Sequence, residues 1–165
     1  MQTEPTDAEL GRTLATSVHT GALSTLGRDG FPFGSVVSHA LDTAGRPLLL
    51  LSDLAEHTRN LITDPRASLL VAQNDPGDPL ALSRVTLVGE VTQPHEDERA
   101  DALTAYRTAH QGTLGTDHGF RIYRMEVTAV RFVGGFAHMS WVSAADHTGA
   151  EPDPLVPHVT GSWST

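Results

Sequence analysis

Residues 48–71 read LLLLSDLAEHTRNLITDPRASLLV. The apolar run 47–51 gives way at Ser52-Asp53 to a stretch with helical spacing, and beyond Asp64-Pro65 to the apolar run 67–73. A residue before proline is pushed out of the helical region, so the pattern predicts a short helix over about 54–63 between two strands. Asp53 and Glu56 stand three apart, the spacing of a capping box, and capping alone explains the helix start. A second reading rests on what else is crowded there. A helix N-terminus offers unpaired N–H groups and a partial positive charge. Ser52 adds a hydroxyl, while His57, Thr58, Arg59 and Asn60 set donors along the same helix, His57 and Asn60 on one face. A phosphate monoester can be gripped this way without lysine. Both readings stand on the segment alone.

Upstream, Thr6-Asp7 can cap a helix over 8–18, where Leu10, Leu14 and Val18 recur every four residues. The period then changes. Residues 22–26 and 31–41 read as strands around a tight turn at Arg28-Asp29-Gly30, and Thr43-Ala44-Gly45 turns the chain into 47–51. Downstream lies a loop at 74–79 rich in Asn, Asp, Pro and Gly, then a long strand over 85–92 in which Gly89 marks a bulge or a close approach. Pro94 opens a helix to about residue 110 with Glu96, Asp97 and Glu98 in its favourable first turn. Residues 120–133 form a strand with 136–142 as its hairpin partner. From Ser143 the chain is small, polar and proline-rich, so a single domain over 1–142 is followed by a tail or arm, 143–165. Six or more strands joined mostly by short turns make the fold mainly β, a closed or nearly closed antiparallel barrel with flanking helices. A doubly wound fold would need a helix between nearly every strand.

The chain has 165 residues, no cysteine and a formal charge of −9. One domain of this size buries roughly two-thirds of its unfolded surface, enough for a core without disulfides. Thiolate chemistry is excluded, and the negative charge argues against nucleic acid, which is held through many cationic contacts. All 11 cationic side chains other than histidine are arginine, which excludes lysine Schiff bases and a P-loop lysine. The polar, acidic N-terminus does not read as a signal peptide. No apolar run approaches the roughly 20 residues that span a bilayer. A soluble cytoplasmic protein without membrane attachment is the expectation.

Three stretches carry a resemblance: GALSTLGRDGFPFGSVVSHALDTAGRPLLLLSDLAEHTRNLITDPRASLLV (21–71), DPLALSRVTLVGEV (78–91) and FRIYRMEVTAVRFVGGFAHMSWV (120–142). Together they resemble the FMN-binding split-barrel family related to pyridoxamine 5′-phosphate oxidase, in its haem-utilisation branch; SDLAxHTRNL is the most specific element. The resemblance implies a six-stranded antiparallel split β-barrel that forms a homodimer with two FMN sites at the interface. It places Ser35, Val36 and Val37 along the isoalloxazine edge, and Ser52, His57, Thr58, Arg59 and Asn60 near the ribityl phosphate. The oxidase's phosphate-binding lysine has no counterpart here, so oxidation of pyridoxamine phosphate is not expected. Arg84 reads either as a solvated surface charge or as a contact to a cofactor phosphate or haem propionate. Trp141 reads as core or dimer-interface packing, or as a ring near the flavin.

Nine histidines are present, none paired at the i, i+4 spacing of a helical zinc motif. Haem-degrading relatives use a histidine near the C-terminus as iron ligand, which makes His158, or else His147, the counterpart; the other reading leaves both as solvated tail residues. Three functions follow. The first is an FMN-dependent oxidoreductase acting on an unknown small molecule. The second is a haem-binding or haem-degrading protein, and the third a dimeric binding module without catalysis. No side chain reads as a catalytic base or nucleophile.

Overall fold

Thr6 opens the first helix: its hydroxyl accepts the Glu9 N–H while the Glu9 carboxylate takes the Thr6 N–H at 2.7 Å, a complete capping box. In the computed structural model, which describes residues 4–111 and 119–154, helix α1 (Asp7–Ser17) leads into strands β1 (Thr20–Leu26), β2 (Pro32–Leu41) and β3 (Pro47–Ser52). Helix α2 (Glu56–Thr63), β4 (Arg66–Ala72), β5 (Arg84–Thr92), α3 (Glu96–Ala109), β6 (Phe120–Val133), β7 (Met139–Ser143) and α4 (Ala144–Gly149) follow. Every strand pair is antiparallel, in the order β3-β2-β1-β4-β5-β6-β7, and β3 also pairs with β6. Six strands therefore close into a barrel, with β7 as an extra strand on β6.

The ring is closed unevenly. β2 and β3 share a ladder only at His39–Leu49, Ala40–Leu48 and Leu41–Pro47. Beyond it, β2 stays with β1 and β3 goes with β6, so residues 36–38 and 50–52 face one another across a split. β6 is shared in the same way. Its residues 120–124 pair with β3, whereas 129–133 pair with β7. At Gly89 the β5–β6 register slips by one residue, as its sequence position predicts.

Alternation along the strands sends Leu23, Val37, Leu49, Leu51, Leu69, Val71, Val85, Leu87, Met125 and Val130 into one core, which α1 joins through Ala15 and its C-cap Val18, and α2 through Leu61. A smaller cluster lies outside the barrel, where Ala102 and Tyr106 of α3 cover Ala40, Leu48 and Ile122.

Two expectations are corrected. The helix at 54–63 starts two residues later. Its N-cap is Ala55, with no side-chain capping bond, because Ala55 N–H turns back to the Ser52 carbonyl and the Asp53 carboxylate swings out to Arg121 at 3.0 Å. The second correction concerns the tail. Residues 144–149 form α4, capped by Ser143 Oγ accepting the Asp146 N–H, and this helix packs against α1 and β6. Arg12, almost wholly buried, makes the clasp, donating to the His147 and Thr43 carbonyls at 2.8 Å each.

Candidate functional site

The split is a cleft of about 270 Å³. Its walls are Val36, Val37 and Ser38 on β2 and Leu50, Leu51 and Ser52 on β3, with Ala55 and His57 at one end, Tyr106 behind and Phe120 at the lip. Val36 is 75% exposed, and Leu54, Ile62 and Phe120 also stand out from the surface. Val36 and Phe120 line the cleft, and large apolar side chains held in water beside a concave site mark a surface that meets something.

Helix α2 positions the cleft's one titratable imidazole. Leu61 enters the barrel core, Thr58 Oγ1 donates to the Ser52 carbonyl at 2.7 Å, and Asn60 Nδ2 donates to Thr25 Oγ1 at 3.1 Å. Thr58, Asn60 and Thr25 are all buried. These bonds tie the helix to β3 and β1, so two of the four donors predicted for a phosphate are spent inside the protein. His57, on the same turn, reaches the barrel rim, where its Nδ1 lies 3.0 Å from Ser35 Oγ. Partial burial lowers its pKa, because it disfavours the charged imidazolium.

The rest of the predicted phosphate cradle does not assemble within this chain. Arg59 is exposed and pairs with Glu56 at 3.5 Å. Glu56 already occupies the first turn of α2, where the helix dipole would attract an anion, and Asp53 adds a second carboxylate nearby. Arg84 starts β5 opposite Ala72 and Val133, and its Nη1 donates to the carbonyls of Leu80 and Leu82 at 3.3 and 3.4 Å. It is not among the cleft residues. Trp141 lies on β7, outside the closed ring and 66% exposed, with the Arg131 guanidinium 5.4 Å from its ring centre. Of the places expected for it, this chain's core is excluded: β6 hands its edge from β3 to β7 here, and the ring faces outward, where a dimer interface would meet it.

His147 is no tail residue either. It is buried, with Nε2 donating to the Gly45 carbonyl at 2.9 Å, and enclosure by protein lowers its pKa. As placed it does not face a ligand. His158 lies outside the described residues. The structure thus brings Ser35, Val36, Val37, Ser52 and His57 together and leaves Arg59, Arg84, Trp141 and His147 elsewhere. It adds Leu50, Tyr106 and Phe120, which sequence reasoning missed. Phe120 meets Ser52 through the β3–β6 register, and Tyr106, pushed up to about 12 by burial, is hydrogen-bonded to Ser38.

A family model described as CREG, beta-barrel, matches residues 2–148. The chain is 36% identical over 151 residues to the chloroplastic non-canonical heme oxygenase HOZ of Arabidopsis thaliana, covering 87% of this chain and 46% of that protein. It is 30% identical over 154 residues to the chloroplastic glutamyl-tRNA reductase-binding protein of the same plant, covering 92% of this chain and 45% of the relative. The structure of a heme binding protein from Mycobacterium smegmatis superposes with a TM-score of 0.86 at 38% identity, over 94% of this chain and 65% of that one. A protein of the pyridoxinephosphate oxidase family from Clostridium acetobutylicum shares the fold alone, with a TM-score of 0.57 at 12% identity over 78% of this chain and 88% of that one. The chain spans about half the length of the curated relatives it matches.

Proposed function

The chain belongs to the CREG beta-barrel family, and on that premise we propose that it binds haem in the split between β2 and β3. The observation that carries the reading is the character of the cleft. Its walls are mainly aliphatic and aromatic, while Thr58 and Asn60, two donors a phosphate would need, are bonded within the protein. An apolar macrocycle fits such walls better than a phosphorylated ribityl chain. With no lysine available, haem's two carboxylates would meet arginine. Arg121, exposed and next to Phe120 in sequence, would exchange its Asp53 partner for one of them. The relatives named heme oxygenase and heme binding protein support the same reading. Bound there, haem would supply redox-active iron.

At about 270 Å³ the cleft falls just below the usual range of roughly 300–1,000 Å³ for small-molecule sites. A second copy of the chain, seated on the exposed apolar side chains at the lip, would complete it as a homodimer.

Haemin titration of the purified protein tests the proposal. The expected result is a shifted, saturable Soret band. A protein that leaves the haemin spectrum unchanged overturns it. Bleaching of the band when a reductant is added in air would extend the activity to haem breakdown.

FMN binding with oxidoreductase activity is the second reading. It is favoured by the facing edges at 36–38 and 50–52, which are not laddered to each other and could offer backbone groups to an isoalloxazine edge. A yellow protein with flavin bands and no response to haemin would select it.

A further inference from the structure

We propose that His57 Nε2 would ligate the iron, and that Ser35 is the positioning residue that fixes its ring; this rests on the haem reading above. A histidine that binds a metal does so through one neutral ring nitrogen. Its other N–H is usually held by an acceptor, which fixes both tautomer and orientation. Ser35 Oγ stands 3.0 Å from Nδ1. With Nδ1–H donating to that hydroxyl, the lone pair is left on Nε2, on the far side of the ring. Among the described residues Nε2 makes no hydrogen bond to the protein, and His57 lines the cleft beside Val36, Leu50 and Phe120.

The other described histidines lie elsewhere. His39 is wholly enclosed, with Nε2 at 3.0 Å from the Ala15 carbonyl. His110 Nε2 lies on the His39 carbonyl and His147 Nε2 on that of Gly45. His138 pairs with Asp7 at 2.7 Å. His19 is buried with its ring edge-on to His110, and His95 is the exposed N-cap residue of α3. None of these lines the cleft. The local fold supports the assignment as well. α2 is pinned on both sides of His57 by the Thr58 and Asn60 bonds, so the ring is presented from a fixed backbone.

The test is haemin titration of the wild type, His57→Ala and Ser35→Ala, with imidazole added to the alanine variant. His57→Ala should shift the Soret maximum and weaken binding at least about ten-fold, and imidazole should restore the wild-type spectrum. Ser35→Ala should keep histidine ligation, lower the ferrous iron–imidazole stretching frequency and weaken binding by about ten-fold, the low end of what loss of an outer-shell partner costs. His57→Gln stands in if the alanine variant melts, and the wild-type resonance Raman spectrum needs no variant at all. A His57 variant with wild-type spectrum and affinity overturns the assignment while leaving haem binding intact. So does a loaded wild type with no iron–imidazole band. A wild type that binds no haemin overturns both.

Discussion

Asn60 and His57 share a helix three residues apart, yet they face different neighbours. Asn60 is buried and donates to the buried hydroxyl of Thr25, so Asn60→Ala leaves that hydroxyl without its partner. The expected loss is about 1–3 kcal/mol of stability, read as a lower urea midpoint, with the position of the haem Soret band unchanged. A shifted Soret band would instead return Asn60 to the ligand site. The HTRN run was legible in the sequence as a concentration of donors. Which of them remain available was not, because that depends on β1 and β3, whose placement is set by long-range register. Of the predicted set, His57 and Ser35 met across the cleft although 22 residues separate them.

At the scale of elements, Gly89 is the point where backbone geometry leaves least room. A Cβ there would lie 2.1 Å from the Glu126 carbonyl oxygen and 2.9 Å from its carbon, and backbone cannot yield as a side-chain tip can. Gly89→Ala should therefore destabilise the protein by about 1–3 kcal/mol, measured by thermal or urea unfolding; an unchanged midpoint would mean that the β5–β6 bulge can relax. The glycine inside an apolar alternation made this bulge readable in advance. The same local periodicity makes the full extent of β6 legible in the sequence. Helix starts were less legible. An acidic residue three ahead of another marked Asp53 as a cap, but the Ser52–Ala55 turn and Arg121 took that carboxylate away. The run Ser143-Ala-Ala-Asp146 carried a usable N-cap signal for α4. Its low apolar content concealed a helix held by the Arg12 clasp rather than by an apolar stripe.

For the whole molecule, buried histidines set the acid limit. Burial, with His19 and His110 close by, lowers the pKa of His39 from 6.5 to about 4. An unfolded chain takes up this proton first, so stability falls as the pH drops from about 6.5 towards 4 and levels off below. At pH 5 the loss from His39 is at most about 2 kcal/mol. His57, His110 and His147 shift in the same direction. Urea midpoints should thus be lower at pH 5 than at pH 7, and His39→Gln should flatten the slope; an equal slope in the variant would assign the effect to the other three. The barrel, its antiparallel order and its flanking helices were legible because each strand is short, alternating and bounded by turn residues. The split was not, since it arises where β3 exchanges one partner for another, and no local pattern records that exchange. The split is also where the account is most exposed to test. The most direct measurement is the position of the iron, located by anomalous scattering in crystals of the haemin-loaded protein. The expected result is an iron peak in the cleft between 36–38 and 50–52, within coordination distance of His57 Nε2. A peak at another histidine, or none within that cleft, would contradict it.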